Sequence, residues 1–174
     1  MTVTALVLGP IVVGLALYAI PRERGGVARI VAAAVGPGAD NGDPSGFRLA
    51  TRAAGAWWCP LTPERSLVIC TPARTPALRE SLEDAAAAAS ALASVVEVTT
   101  LYAALTLSGP PVREIFARFC ALDLRPRSTP LHGLRPGSVA RTPGLVLREA
   151  EDRFLVLFGS AFGEYMWTVV ADAG

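Results

Sequence analysis

An internal repeat constrains the fold of this chain more than any single motif does. In the first half, an apolar strand pattern at residues 15–20 is followed by a turn at Pro21 and a segment with helical periodicity. In the second half, residues 103–107 are followed by the turn Ser108-Gly109-Pro110 and another such segment. Both segments have apolar residues three and four positions apart, which predicts helices with one buried face. These residues are Val27, Ile30, Val31, Ala34 and Val35 in the first half and Val112, Ile115, Phe116 and Phe119 in the second.

The similarity of the two halves continues beyond these helices. FRLATRAAGAWWCPLTPERSLVIC in the first half and SVARTPGLVLREAEDRFLVLFG in the second each predict three strands, and the last of these starts at Arg65 or, 88 residues later, at Arg153. Each half then ends in a helix, the first capped by Thr75 and the second opened by Ser160. The intervening VVEVTT predicts one additional strand.

We therefore predict an α+β fold, a duplicated strand-helix-strands-helix unit in two layers with mainly antiparallel sheets. A length of 174 residues suits one domain that can bury a sizeable core. The expected organisation is a single domain over residues 1–174, made of two similar halves at about 11–93 and 95–174. Residues 36–46 are rich in turn formers and predict a surface connection.

The first twenty residues contain no charged side chain, so a membrane-spanning helix is an alternative to a strand there. Gly9-Pro10 interrupts the stretch, and no basic residue precedes it. The repeat favours the strand, because residues 15–20 are needed as the counterpart of residues 103–107. We therefore expect a strand at residues 11–20, no membrane segment and a cytoplasmic protein.

Charge and cysteine content exclude several classes of function. The formal net charge is +1, all 16 basic residues are arginine and no basic run occurs, so we predict no nucleic-acid-binding surface. Cys59, Cys70 and Cys120 are far apart and lack Cys-x-x-Cys or Cys/His spacing, which argues against a metal site and for a reducing compartment. The sequence also contains no glycine-rich phosphate-binding loop.

Cys120, Asp123 and His132 are the residues that could be either reactive or structural. Cys120 lies at the C-terminal end of an amphipathic helix, where the helix dipole disfavours a thiolate, so we interpret it as a packing residue. We expect Asp123 to accept hydrogen bonds from backbone amides of the following turn. His132, the only histidine, lies in a Pro- and Gly-rich loop and is interpreted as a loop residue.

Paired carboxylates occur in SLEDA and REAED, and we interpret both as solvated charge.

Trp57 and Trp58 are adjacent, so they point to opposite faces of a strand. Together with a hydrophobic content of 52%, this predicts apolar surface that a partner covers, in an interface on the order of 2,000 Å² or more. We predict no catalytic, cofactor-binding or metal-binding residue in this chain.

Three motifs of the second half carry a family resemblance: LSGP at residues 107–110, CALDL at residues 120–124 with Pro126-Arg127 after it, and the strand at residues 137–142. Over residues 95–171 the chain resembles the gamma subunit of heterotetrameric sarcosine oxidase, a relative of the aminomethyltransferase (glycine-cleavage T-protein) folate-binding fold. In the first half, GAWWCPLTPERSLVICTP agrees with this family in layout only.

The chain departs from the family pattern at two positions of the later strand, where Val139 and Arg141 replace a cysteine and a glutamine. The histidine often found after the VVEVT-like strand is also replaced, near Thr100-Leu101. Full aminomethyltransferases carry a motif of the Lys-Gly-Cys-Tyr-x-Gly-Gln-Glu type, which this lysine-free chain lacks.

The resemblance implies a non-catalytic structural subunit of an oxidoreductase complex that oxidatively demethylates sarcosine or a related secondary amine, with tetrahydrofolate as one-carbon acceptor. It implies alpha, beta and delta subunits as partners. FAD, FMN, NAD and tetrahydrofolate are then expected on alpha and beta and zinc on delta, with no cofactor on this chain. Cys120 and Asp123 would be fold signatures. The alternative is a stand-alone folate-binding or one-carbon transfer protein with the same fold.

Overall fold

The structure, a computed structural model, describes residues 4–7, 13–19, 49–53, 55–62, 65–88 and 93–174. The predicted first-half helix after Pro21 and the connection at residues 36–46 lie outside these residues. The chain divides into two compact units. One contains residues 4–7 and 100–174, and the other contains residues 13–19 and continues to Thr99.

The described residues form two kinds of regular element, strands and helices. The strands are β1 (Thr4–Val7), β2 (Val13–Ala19), β3 (Thr51–Ala53), β4 (Ala56–Thr62), β5 (Arg65–Cys70), β6 (Ala93–Glu97), β7 (Tyr102–Ser108), β8 (Leu134–Val139), β9 (Thr142–Ala150) and β10 (Arg153–Gly159). The α-helices are α1 (Thr75–Ala88), α2 (Val112–Phe119) and α3 (Gly163–Ala173), and short 3-10 turns occur at Pro72–Arg74, Thr99–Leu101 and Ser160–Phe162.

The strands form two antiparallel five-stranded sheets with the same order. The first sheet is ordered β1-β7-β10-β9-β8, and the second, read from its other edge, is ordered β6-β2-β5-β4-β3. The strands that precede β2 and β7 in sequence are exchanged between the sheets: β1 pairs with β7, whereas β6 pairs with β2. The duplicated α+β fold with antiparallel sheets is confirmed, and each repeat supplies its first strand to the sheet of the other.

One face of the first sheet is buried under α2 and α3. Phe116 of α2 and Met166 and Val170 of α3 belong to one buried cluster with Phe154 of β10. The ring centroids of Phe116 and Phe154 are 5.4 Å apart, in an edge-on arrangement that aromatic pairs favour. Met166, Val170 and Ala173 are buried at intervals of four and three residues, which places them on one side of α3.

One face of the second sheet is buried under α1. Leu78, Leu82 and Ala86 of this helix pack against Trp58 and Val68 of the sheet. Their spacing of four residues forms the single apolar stripe expected of a helix that packs on a sheet. The unit around the second sheet therefore has its own core.

Trp57 and Trp58 are both buried, with exposed fractions of 6% and 2%. Trp58 lies in the cluster under α1 and donates its indole N–H to the carbonyl of Ala53 at 3.2 Å. Trp57 points to the opposite face of β4, and Arg52 lies 5.5 Å from its ring. The interpretation of this pair as exposed apolar surface is wrong, because both faces of β4 are covered.

The uncharged first twenty residues contribute two strands. β2 confirms the predicted strand from Val13 to Ala19, while residues 11, 12 and 20 lie outside the described part. β1 was not predicted, although Gly9-Pro10 in the sequence separates the two strands. In the part of the chain that the structure describes, no helix is both long enough and apolar enough to cross a membrane.

Thr75 is not an N-cap. The chain already turns at Pro72, which opens a 3-10 turn, so Thr75 has helical backbone angles of φ −56° and ψ −47°. Its hydroxyl lies 3.8 Å from Sγ of Cys70. Proline fixes φ near the helical value, so the helical path begins three residues earlier than the capping pattern indicates.

The outer edge of β8 is covered by the segment that follows α2. Cys120 forms an isolated antiparallel bridge with Val139, and the amide of Ala140 donates to the carbonyl of Phe119 at 2.8 Å. Leu122 lies over Gly137, where a Cβ would overlap Cδ2 of the leucine. This segment shields an edge strand that would otherwise present unpaired backbone groups.

We expect Gly137→Ala to lower the unfolding free energy by about 1 kcal/mol, because the added methyl group collides with Leu122. The cost should nearly vanish in a Leu122→Ala background, since the two sites share one contact. Gly163→Ala is the matched control: its Cβ would meet nothing within 4 Å, and alanine favours a helix. Urea unfolding measures all four variants, and an equal cost of Gly137→Ala in both backgrounds would contradict the contact.

Candidate functional site

The candidate residues Cys120, Asp123 and His132 all lie in the connection between α2 and β8. This connection runs from the end of α2 at Phe119 to the start of β8 at Leu134. It has no regular secondary structure, so its polar groups are satisfied by turn hydrogen bonds of the backbone and by side chains. The partners of each candidate therefore show whether it is available for chemistry.

Asp123 organises the first part of the connection. Its carboxylate accepts the backbone N–H of Arg125 at 3.1 Å, the Nε of the same arginine at 2.7 Å and the hydroxyl of Ser128 at 2.6 Å. The hydrogen bonds from Arg125, followed by the one from Ser128, hold the pKa of the Asp123 carboxyl far below its usual value. A carboxylate with these partners remains ionised and is a poor general acid or base.

The second part of the connection is held by Arg148 of β9, which is 2% exposed. Its Nη1 donates to the carbonyl of Thr129 at 3.0 Å, and its backbone N–H donates to Gly133 at 3.1 Å. Its backbone carbonyl accepts the amide of His132 at 2.9 Å. His132 has a φ of 64°, in the left-handed region, so the backbone around it is tightly specified.

Two arginines converge on the turn between β9 and β10. Glu151 accepts Arg148 through Oε2 at 2.6 Å and Arg113 through Oε1 at 3.3 Å. Asp152 accepts Nη1 of Arg113 at 3.0 Å. The side chains of Glu151 and Asp152 are 74% and 39% exposed, so these carboxylates are solvated as expected, and each also pairs with an arginine. In SLEDA, Glu83 is half-exposed and pairs with Arg79 at 2.8 Å.

Cys120 is half-buried and packs against the core cluster under α2 and α3. Its Sγ lies 3.9 Å from the carbonyl oxygen of Ser138. Burial raises the pKa of the Cys120 thiol, and also that of Cys70, so both remain protonated at neutral pH. None of the three cysteines, all of which lie in the described residues, forms a disulfide.

The geometry favours structure over chemistry at these positions. Cys120 and Asp123 bond to different partners, and within the described residues the Cys120 thiol contacts the carbonyl of Ser138 and not a basic side chain. No three His, Cys, Asp or Glu side chains come together there as metal ligands. What the arrangement does is fix the connection against β8 and β9.

The family model for the sarcosine oxidase gamma subunit family matches residues 29–174. The chain belongs to this family. The comparison with curated proteins found no match. The motifs LSGP and CALDL of the second half lie inside the matched region, so the family resemblance is confirmed.

Solved structures agree with this assignment. The chain is similar to a chain of heterotetrameric sarcosine oxidase from Corynebacterium sp. U-96, with a TM-score of 0.80 and 25% identity, over 98% of this chain and 83% of that one. Glycine cleavage system aminomethyltransferase T from Bartonella henselae matches with a TM-score of 0.72 and 11% identity, over 97% of this chain and 45% of that one. At that identity the second match shows the fold alone, and it confirms the aminomethyltransferase-like fold.

Sequence reasoning missed Arg113 and Arg148 as structural residues. A signal for Arg148 exists in the sequence, because it directly follows the apolar run LVL of a predicted strand. A long charged side chain at the end of such a run must find partners when it is buried. Nothing local shows that these partners include Thr129, nineteen residues away.

The low pKa of Asp123 predicts a specific pH dependence. We expect Asp123→Asn to destabilise the protein at neutral pH, because the ionised carboxylate and its hydrogen bonds are lost. Because the pKa of Asp123 is lower in the folded than in the unfolded protein, the ionised carboxylate stabilises the fold fully at pH values above its unfolded pKa of about 4. This stabilisation is lost as the pH falls from there toward the folded pKa. The difference from the wild type should therefore shrink below about pH 4.

Thermal unfolding between neutral and acidic pH measures this difference. Asp172→Asn is the matched control, because Asp172 is exposed on α3 and has no ion pair among the described residues. A difference between Asp123→Asn and the wild type that stays constant down to pH 3 or below would contradict the assigned role of the carboxylate.

Proposed function

We propose that this chain is the non-catalytic structural gamma subunit of a heterotetrameric, sarcosine oxidase-like flavoenzyme complex. The observation that carries the proposal is the agreement of the family match over residues 29–174 with the structural similarity over 98% of the chain. The complex would oxidatively demethylate sarcosine or a related secondary amine in the cytoplasm, with tetrahydrofolate as one-carbon acceptor.

The partners in this proposal are alpha, beta and delta subunits. FAD, FMN, NAD and tetrahydrofolate would be bound by alpha and beta, and zinc by delta. The candidate residues of this chain support such a division, since Asp123 is occupied by Arg125 and Ser128 and the Cys120 thiol is protonated. The chain would contribute to turnover indirectly, by holding the flavin-bearing subunits in place.

Exposed apolar side chains support a role within an assembly. Phe162, Tyr165 and Trp167, at the start of α3, are 41%, 45% and 44% exposed. Leu101 is 61% exposed, and its turn is tied to the same region because Ser160 donates its hydroxyl to the carbonyl of Thr100 at 2.8 Å. Large aromatic side chains of this kind are enriched in permanent interfaces.

The assembly itself can be tested directly. Co-expression with the flavoprotein and zinc-binding subunits should place this chain in a complex that elutes as one species by size exclusion with light scattering. The chain expressed alone should aggregate or bind a hydrophobic dye, because its apolar surface is uncovered. A monodisperse monomer that ignores those subunits and binds tetrahydrofolate would favour the stand-alone folate protein instead.

The non-catalytic role predicts the behaviour of Cys120→Ala. We expect this variant to lose about 1 kcal/mol of stability, because a half-buried group is deleted. Amine oxidation by the assembled complex should remain within about twofold of the wild type, since the thiol serves packing only. Turnover is compared at equal flavin content, and a hundredfold loss in a folded, flavin-loaded complex would overturn the non-catalytic assignment.

A further inference from the structure

The segment from Arg118 to Arg148 is strongly basic within a chain that is nearly neutral overall. It contains six arginines, at positions 118, 125, 127, 135, 141 and 148, and Asp123 is its only acidic residue. Such a local excess creates a positive field even though the net charge of the chain is +1. This segment includes the connection between α2 and β8 and the whole of β8.

Three of these arginines are bound by other groups of the chain, two of them in ion pairs. Arg118 donates to the carbonyl of Ala173 at the end of α3 at 2.6 Å. Arg125 pairs with Asp123, and Arg148 pairs with Glu151. The other three, Arg127, Arg135 and Arg141, form no ion pair among residues 49–53, 55–62, 65–88 and 93–174.

Arg135 lies on β8, an edge strand of the first sheet, and Arg127 lies in the connection whose first residues cover this edge. Arg135 pairs in register with Val146, so it lies on the helix-covered face of β8, two residues before Gly137. Gly137 is covered by Leu122, which places Arg135 next to the connection. Arg127 lies within this connection, in the turn between Arg125 and Ser128 that both bond to Asp123.

An exposed apolar side chain lies between these two arginines in the sequence: Leu131 is 51% exposed. We call Arg127, Leu131 and Arg135 the basic edge. The hydrogen bonds of Asp123 and Arg148 hold the backbone around it, so little backbone freedom is lost when a partner binds.

The basic edge presents side chains and not a backbone ladder. The outer side of β8 is partly occupied, because the amide of Ala121 donates to the carbonyl of Ser138 at 3.4 Å. Pro136 is two residues from Ser138 on the same side and has no N–H to donate. Addition of a partner strand is therefore disfavoured, and recognition here depends on guanidinium groups.

We propose that the basic edge docks onto an acidic surface of a partner subunit, with carboxylates facing Arg127 and Arg135 around an apolar contact at Leu131. This inference rests on the proposed function for the existence of the partner. Charge complementarity identifies the chemistry of that partner, since guanidinium groups pair with carboxylates in a bidentate geometry. Charged groups at an interface act mainly on association and on its salt dependence.

The test compares Arg127→Gln/Arg135→Gln with the wild type in the co-expressed complex. The fraction of this chain retained by its partners is measured by size exclusion with light scattering across dilution and NaCl series. We expect the double variant to weaken association roughly 3- to 30-fold at low salt, as two interfacial charge pairs contribute. The difference should largely disappear near 1 M NaCl, because salt screens such pairs.

Arg141→Gln is the matched control. It removes one unit charge, half of what the double variant removes, from an exposed arginine in the turn after β8 that has no ion pair among the described residues, and we expect less than about a twofold effect. Equal effects of Arg141→Gln and the double variant would show that net charge matters and not the basic edge, which overturns the proposal.

The outcomes separate the two proposals. Retention of the double variant at wild-type levels in all salt concentrations would overturn the basic edge while leaving the subunit role intact. A wild-type chain that fails to associate at all would overturn the subunit role itself. Heparin is the probe for a free anion, and loss of heparin binding by the double variant without any effect on assembly would also overturn the docking proposal.

Discussion

The turn between β9 and β10 is the point on which the unit around the first sheet depends. Arg113 reaches it from α2, with Nη2 at 2.6 Å from the carbonyl of Glu151, and its guanidinium lies 5.5 Å from the ring of Phe154. Arg148 reaches the same turn from within β9. Gly109, at a φ of 125°, donates its amide to the carbonyl of Asp152 at 2.9 Å. One hairpin turn thus holds the helix, the connection and the turn after β7 in place, and the glycine of LSGP is required by its backbone angle.

The exchange of the first strands links the two repeats of the duplicated fold. β6 is continuous in sequence with the second repeat, yet it pairs with β2, while β1 pairs with β7. Neither sheet is therefore complete from its own repeat, and pairings between distant segments must form before either sheet has all five strands. Such non-local pairing costs loop entropy before it contributes stability. Because each sheet needs a strand from the other repeat, the two halves cannot be separated without leaving each sheet one strand short.

Local sequence patterns predict the strands, the helices and their repeat, but they do not predict which distant strands pair. Strand and helix periodicity, together with the offset between Arg65 and Arg153, predicts the repeat because each element buries one face. The exchange of β1 is not predictable in this way, since the choice of a partner strand is not encoded within the strand itself. The same limit applies to Trp57, whose burial depends on what covers the second face of β4, and to Arg148, whose partners are distant in sequence.

The CALDL motif shows how residues that suggest chemistry can all have structural roles. Cys120 bridges to β8 and packs on the core, Leu122 covers Gly137, and Leu124 is buried in the cluster under the helices. Asp123 is oriented away from this apolar contact and bonds to the turn that follows it. A cysteine and an aspartate three residues apart could resemble a reactive pair, but here the alternation of inward and outward positions separates them. The first residues of CALDL therefore cover the edge of the sheet, and the residues after Asp123 form the turn. This turn also positions Arg127 at the surface.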